Sequence, residues 1–143
     1  MGEVLVDVVL ARGHELIKAL HRTTFEVTKD SYLTPRGDCI IGISASKALS
    51  DLDPLVRSEI AKDDSVIIID LVAGRASDRV VCRGSRALRL SSDRKIIVRK
   101  SRFIDDATLC IEANKSARDL NRELVNELRK GLALVMKIMV LRV

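Results

Sequence analysis

The sequence predicts a β-rich α+β domain made of two copies of one β-β-β-α-β unit. Three observations lead to this prediction. The composition is aliphatic, with 47% hydrophobic but only 2% aromatic residues. A stretch of twenty residues recurs 68 positions later, and the same apolar patterns follow one another in both halves. Cores rich in Val, Ile and Leu favour sheets.

The repeat is clearest around the helix expected in each unit. Residues 43–62 align without gaps on residues 111–130 with seven identities, whereas residues 7–33 align on residues 78–104 at an offset of 71. The difference between the two offsets places a three-residue insertion at Thr34-Pro35-Arg36. We therefore expect one domain over residues 1–143, with copy one at about 3–72 and copy two at about 75–142.

Local patterns place the elements of each copy. Leu52, Val56 and Ile60 recur every four residues, which gives a helix one apolar face. Asp53 precedes a proline, as an N-cap does, and Gly131 is expected to end the second helix. Strands are expected at residues 4–11, 23–28, 39–43, 66–72 and 132–141, with equivalents in copy two. Eight strands and two helices then predict a pseudo-twofold β-sandwich or barrel.

Charge distinguishes the two copies. Residues 1–72 carry 8 Lys and Arg against 12 Asp and Glu, whereas residues 73–143 carry 17 against 8. Arginine-rich segments attract phosphates, so a phosphate-bearing ligand, RNA above all, is the leading candidate partner. Alternation along strands would place pairs of these cations on common faces. The candidate ligand-binding residues are Arg79, Arg83, Lys95, Arg99 and Lys100.

Base stacking is not expected to contribute to such binding. The aromatic residues are Phe25, Tyr32 and Phe103, and the last two align with each other at positions that resemble core positions. Binding would then follow the phosphate backbone without strong sequence preference. The competing interpretation is that the basic half complements the acidic half, within one chain or between chains. The second case would make the protein a charge-paired homo-oligomer.

An enzyme is the other alternative. His14 and His21 both lie in copy one and align with Ser85 and Ser92 in copy two. A small hydrolase-type enzyme would use His21 as proton carrier, Asp38 as carboxylate and Arg36 to hold substrate charge, with Cys39 as a weaker candidate nucleophile. Both histidines would have to converge on the Asp38 loop. No spacing matches a metal or cofactor motif, so neither is expected.

The cysteines and the termini bear on location. Cys39, Cys82 and Cys110 are odd in number, widely spaced and each next to Val or Ile. We expect them to be free, buried residues in a reducing cytosol. No apolar run approaches the roughly 20 residues of a membrane-spanning helix, and the N-terminus lacks the features of a signal peptide. A cytoplasmic location without membrane association is expected.

Several runs resemble an archaeal family known as domain of unknown function 371. They are His21 through Asp30, Leu33 through Gly42, Lys47-Ala48, Asp51-Leu52, Arg99-Lys100-Ser101, Asp119-Leu120 and Arg122 through Val125. The resemblance implies an archaeal, cytosolic, β-rich domain of uncharacterised function, and it brings no catalytic residue or cofactor. The family carries Gly-His at the second turn, where this chain has Gly84-Ser85.

Overall fold

Alternating apolar and polar residues form the strands of two separate sheets. The computed structural model describes residues 2–142, and within them the chain is mixed α+β and strand-rich, as expected, with two α-helices. The helices are α1 (Pro54–Ile60) and α2 (Arg122–Arg129). The strands are β1 (Glu3–Arg12), β2 (Thr24–Thr28), β3 (Ile40–Gly42), β4 (Val66–Ala73), β5 (Ala76–Arg83), β6 (Lys95–Arg99), β7 (Thr108–Cys110) and β8 (Ala133–Arg142).

Each sheet has four strands and takes them from both halves of the chain. The first sheet has the order β1-β8-β4-β5, and the second has the order β3-β2-β6-β7. The first is antiparallel throughout, while β2–β3 and β6–β7 are parallel pairs. Consecutive strands β1 and β2 are therefore in different sheets. The ten residues of β1 pair along their whole length with the ten of β8, which satisfies the backbone groups of both on that side.

The barrel alternative is wrong for the described residues. Among residues 2–142, strand pairing between the two sheets is limited to two isolated antiparallel bridges, so the sheets do not join into one closed sheet. One bridge pairs Arg12 with Ile43 and the other pairs Arg83 with Ile111. Ile43 and Ile111 are the residues directly after β3 and β7, the edge strands of the second sheet.

One cluster of buried apolar side chains draws on both sheets and both helices. Phe25 and Val27 of β2 face it, and their neighbours in the strand point to the other side, as the alternation requires. All three residues of the predicted helical stripe are buried in this core, but only Val56 and Ile60 belong to α1, because Leu52 precedes the helix. Burying one such aliphatic side chain contributes about 1.5–3 kcal/mol.

The start of α1 has the predicted cap. The Asp53 Oδ1 atom accepts hydrogen bonds from the amides of Leu55 at 2.8 Å and Val56 at 3.4 Å, and Pro54 occupies the first helical position. Gly131 follows the end of α2 with a φ of +83°, a conformation that favours glycine. No helix among residues 2–142 is long and apolar enough to cross a membrane.

Two aspartates whose side chains are little exposed tie the start of each helix to the first sheet. The Asp7 carboxylate accepts from Lys47 Nζ at 2.5 Å and from the amide of Asp53 at 2.7 Å. Burial acts to raise the pKa of Asp7, but these hydrogen bonds outweigh it and lower the pKa. In the second half Asp78 accepts in the same way from Lys115 Nζ at 2.5 Å and the amide of Asn121 at 2.8 Å.

Gly13 and Gly84 follow β1 and β5 at points where no side chain fits. A Cβ atom on Gly13 would lie 2.0 Å from the carbonyl oxygen of Leu128 in α2. A Cβ atom on Gly84 would lie 2.1 Å from the carbonyl oxygen of Ile60 in α1. Each glycine therefore lets a strand end pass against the helix from the other half of the chain.

The expectation that all three cysteines are free is wrong. Cys82 of β5 and Cys110 of β7 form a disulfide with a Cα–Cα distance of 5.9 Å, and both are buried. The bond joins the two sheets beside the bridge between Arg83 and Ile111. The cysteines therefore do not support the expectation that the protein is located in a reducing cytosol, although intracellular disulfides do occur in hyperthermophiles.

Reduction of this disulfide should destabilise the protein. The bond closes a segment with a sequence separation of 28, for which the chain-entropy model gives about 3–4 kcal/mol of unfolding free energy. Urea denaturation with and without a reductant measures the loss. Cys39→Ala, which removes the free thiol, should keep the full response to reductant. Equal stability of the reduced and oxidised protein would contradict the cross-link.

Candidate functional site

The predicted basic residues do not form one surface. Arg79 and Arg83 lie on β5 in the first sheet, whereas Lys95 and Arg99 lie on β6 in the second. Arg79 is also occupied, because its guanidinium binds both carboxylate oxygens of Asp70 at 2.7 and 3.0 Å. These hydrogen bonds lower the pKa of Asp70. Each predicted pair thus shares one side of its own strand, but the two pairs belong to different sheets.

Much of the positive charge of the second half is neutralised within the chain. Acidic residues of the first half pair with basic residues of the second in four places. These are Asp30 with Arg94, Glu59 with Arg142, Asp63 with Arg86, and Asp70 with Arg79. Other pairs lie within the second half, such as Lys100 with Asp119 at 3.0 Å. The charge asymmetry of the sequence is thus partly an internal complementarity.

Lys95 and Arg99 share the outer side of the second sheet with residues of β2. Because Phe25 and Val27 face the core, Thr24, Glu26 and Thr28 face outward. Register places Thr24 opposite Arg99, Glu26 opposite Ile97, and Thr28 opposite Lys95. We call this six-residue surface of β2 and β6 the polar face. Its three β2 residues are buried despite facing outward.

Arg99 is held at one end of the polar face by three neighbours. Its Nε donates to Thr108 Oγ1 at 2.8 Å, and its Nη2 donates to Asp105 Oδ2 at 3.0 Å. The guanidinium also lies 4.9 Å from the centre of the Phe103 ring, a cation–π distance. Burial acts to raise the pKa of Asp105, but hydrogen bonds from Thr108 and the Ala107 amide, with the charge of Arg99, lower it.

Glu26 occupies the middle of the polar face and is 6% exposed. Burial raises its pKa, although the positive charges of Lys95 and Arg99 oppose this effect. The nearby Cys39 Sγ lies 3.9 Å from Glu26 Oε1, and burial together with the Glu26 charge raises the pKa of Cys39 to about 11. Cys39 is therefore a neutral thiol at pH 7, which makes it a poor nucleophile.

Two aromatic rings are exposed, against expectation. Tyr32 is 63% and Phe103 is 59% exposed, while Phe25 is completely buried. Tyr32 lies between β2 and β3, and Phe103 lies between β6 and β7. Because β2 and β6 are antiparallel, these loops leave the polar face at opposite ends. The core-like environment expected for these two rings is therefore wrong, and with it the reason for not expecting base stacking.

His21 and Asp38 are brought together, but through their backbones. The amides of Leu20 and His21 approach the carbonyl oxygen of Asp38 at 3.1 and 3.3 Å. The amides of Ser91 and Ser92 contact the Asp106 carbonyl in the same way. Arg36 lies exposed in the intervening loop, between β2 and β3. Among residues 2–142, no group of three His, Cys, Asp or Glu side chains is placed to hold a metal ion.

The histidine rings have local roles that serines perform in the second half. His21 Nδ1 accepts from the amides of Thr23 at 3.3 Å and Thr24 at 3.2 Å. Ser92 Oγ accepts from the amides two and three residues later at 3.2 and 3.1 Å. His14 Nδ1 and Ser85 Oγ likewise each accept from the amide two residues on. The contrast between histidine and serine is therefore compatible with one turn structure.

Sequence reasoning missed Glu26, Asp105 and Thr108. Alternation correctly places Glu26 on the face away from the core. The alternation of side chains along a strand does not reveal what covers the outward face, however. From the sequence, an outward glutamate is therefore expected to be exposed to solvent. The only sequence signal is the Thr-Glu-Thr alternation within β2, which is common in half-exposed strands.

The turn role of His21 predicts which substitutions the protein tolerates. His21→Ser keeps an acceptor for the same amides and should change the free energy of unfolding by less than about 0.5 kcal/mol. His21→Leu removes the acceptor and should cost about 1 kcal/mol. Urea denaturation distinguishes the two, with Ser92→Leu as the matched loss in the second half. Equal destabilisation by both His21 variants would refute the turn role.

Burial of Glu26 predicts a pH-dependent penalty. Because its folded pKa lies above the ordinary value of 4.5, stability decreases as the pH rises from about 4.5 through the folded pKa. Glu26→Gln should therefore stabilise the protein at pH 7 by on the order of 1 kcal/mol, and the gain should vanish below about pH 4. Thermal melts across this range measure it. Glu59→Gln is the control: Glu59 is equally buried but paired with Lys62, so its loss should destabilise.

Comparisons with known proteins agree with the sequence resemblance. A protein of Methanocaldococcus jannaschii described as uncharacterised is 39% identical over 133 residues, which cover 93% of this chain and 98% of the relative. The profile of a family described as a domain of unknown function (DUF371) matches residues 9–141, nearly the whole chain. The relative is archaeal, as the resemblance implied. The chain belongs to the DUF371 family.

Proposed function

We propose that this protein binds a phosphate-bearing ligand, RNA before others, on the polar face of the second sheet. The observation that carries the proposal is the position of Lys95 and Arg99 on one side of β6, with the exposed ring of Phe103 against Arg99. Cations bind phosphates and exposed rings stack on bases, and the combination is typical of surfaces that bind single-stranded nucleic acid.

Lys95 is the cation best placed to bind an anion. It is exposed and forms no ion pair within 4.0 Å among residues 2–142. Arg99, at the other end of the strand, is only 13% exposed in its side chain and is held in place by Asp105. An ordered guanidinium loses little conformational entropy when a ligand binds. Arg99 would therefore position the ligand, and Lys95 would add a charge that no ion pair among residues 2–142 holds in place.

Phe103 supports a ligand that carries a base in addition to phosphate. The Arg99 guanidinium lies over the ring, and yet the residue remains 59% exposed. Stacking of one base on an aromatic ring contributes about 1–3 kcal/mol with little preference among bases. The proposal therefore keeps the sequence-tolerant binding expected from composition and adds a stacking contribution.

The experiment compares two charge-removing variants from different sheets. Lys95→Gln should weaken binding to mixed single-stranded RNA and reduce the slope of log affinity against log salt by about 1. Arg79→Gln removes the same charge from the first sheet and should leave binding unchanged. Fluorescence anisotropy over a salt series measures both. Equal effects of the two variants would point to diffuse attraction by net charge.

Free nucleotide and inorganic phosphate identify the ligand class. Competition by a nucleoside monophosphate but not by phosphate alone indicates that the base is recognised, and Phe103→Ala should then weaken binding. Competition by inorganic phosphate as effectively as by nucleotide indicates a small-anion site instead of an RNA site. The proposal would be wrong if the protein did not bind RNA at low salt, or if its affinity for RNA did not change with salt concentration.

A hydrolase-type enzyme is the second candidate, supported by the contact between the His21 amide and the Asp38 carbonyl. With Nδ1 occupied in its turn, only Nε2 of His21 would be available as a proton carrier, and Arg36 would bind substrate charge. The His21→Ser variant decides between the functions. It removes the imidazole and should leave RNA binding intact, whereas a hydrolytic activity dependent on His21 would be lost.

We also propose that the chain is one domain formed by duplication of its β-β-β-α-β unit. In support, residues 3–73 and 76–142 contain the same elements in the same order. Corresponding residues make corresponding contacts, as Asp7 with Lys47 and Asp78 with Lys115 do. The cysteines fit the same scheme. In the first half, Ala11 corresponds to Cys82 and Gly42 corresponds to Cys110. These two residues are also close together, since a Cβ on Gly42 would lie 3.0 Å from the Ala11 Cβ.

A further inference from the structure

The outer side of the first sheet is apolar and exposed. Every outward side chain of β1 from Val4 to Leu10 is aliphatic, with 53, 44, 39 and 52% exposure in order along the strand. Neighbouring strands extend the surface in register, since Leu10 is opposite Val135 and Val135 is opposite Val72. We call this surface the apolar face. It consists of Val4, Val6, Val8, Leu10, Ile68, Val72, Val135 and Met139.

Such a surface is unusual for a sheet exposed to water. Antiparallel sheets with one solvated face normally alternate apolar and polar residues, and β1 does not. Soluble monomers rarely expose contiguous apolar patches larger than a few hundred Å², and larger patches mark interaction sites. The other exposed aliphatic residues, such as Leu16, Leu20 and Leu55, lie in loops or in α1, outside this sheet.

The dimensions of the apolar face fit a dimer interface. At about 3.4 Å per residue and about 4.8 Å between strands, three strands of up to ten residues span roughly 34 by 14 Å. The projected area is roughly 480 Å², and side chains that stand out from the sheet increase the accessible area. Small specific interfaces begin near 600 Å² per partner. The face is therefore close to the size that a twofold dimer requires.

The charges at the middle of this face can complement a second copy of it. Lys137 of β8 lies opposite Asp70 of β4, and Asp70 is bound by Arg79 of β5. One acidic and two basic groups thus lie side by side in a row across the strands. A twofold axis that runs along the strands, midway between β8 and β4, would bring Lys137 of each copy over Asp70 of the other. Isologous interfaces require this kind of self-complementarity.

We propose that the apolar face is the interface of a homodimer, formed by two copies of this chain stacking the outer sides of their first sheets. The polar face belongs to the other sheet and remains free, so this proposal is independent of ligand binding. Unlike the charge-paired assembly considered from the sequence, this dimer is held by apolar contact. It should therefore persist in about 1 M salt, where charge interactions extend only about 3 Å.

Light scattering with size exclusion over a concentration series tests the proposal. The natural chain should be a dimer in low and high salt. Val6→Glu and Val135→Glu should each raise the dissociation constant at least about tenfold, a loss typical of a central interface residue. Leu55→Glu is the matched control, because Leu55 is 58% exposed but lies on α1. It should leave the dimer intact.

Circular dichroism separates loss of the dimer from loss of the fold. If Val135→Glu lowers the melting temperature of the monomer, Val4→Glu near the start of β1 probes the same face at a more exposed position. A monomer at every concentration would overturn the proposal. The proposal would also be overturned by a dimer that dissociates in high salt or that persists in both Val6→Glu and Val135→Glu. A Leu55→Glu variant that weakens the dimer as much as these two variants do would have the same meaning.

Discussion

The structure depends on the pairing of strands from one half of the chain with strands from the other. Within residues 2–142, β1 pairs in a ladder only with β8, β4 lies between β5 and β8, and β2 pairs with β6. A half on its own would leave the hydrogen-bonding edges of these strands without partners. Buried backbone groups without partners are costly, so the two halves must fold together. The disulfide between Cys82 and Cys110 reinforces one of the places where the sheets meet.

Close contacts between the halves follow from this pairing. Gly13 and Gly84 bring the ends of β1 and β5 against helices of the opposite half, where any side chain would collide with backbone. Asp7 and Asp78 fix each helix to the sheet, because each carboxylate accepts hydrogen bonds from a lysine side chain and from the amide at the start of a helix. Carboxylates with a lowered pKa contribute stability that is complete above their ordinary value of 3.8 and is lost as the pH falls through the folded pKa.

The two outer surfaces of the molecule differ in character because their strands differ. β2 and β6 present threonine, glutamate, lysine and arginine, of which the threonines and the glutamate are buried. β1 and β8 present mainly aliphatic residues, interrupted by Lys137. Acidic and basic residues of the two halves form internal ion pairs, such as Asp30 with Arg94. The net charge of a half is therefore a poor guide to where a ligand binds. Two local features of β6 are more informative than the total: Lys95, which forms no ion pair among residues 2–142, and the Phe103 ring against Arg99 at the opposite end of the strand.

Local chemistry determined the elements of this protein. Alternation, the Asp53-Pro54 cap and the spacing of Leu52, Val56 and Ile60 predict strands and helices because each depends on near neighbours only. The same locality explains what the sequence did not reveal. Strand partners, the disulfide and the burial of Glu26 arise between residues far apart in the chain. Only the tertiary structure decided these, since a pattern along one strand specifies which side chains share a face but not what covers that face.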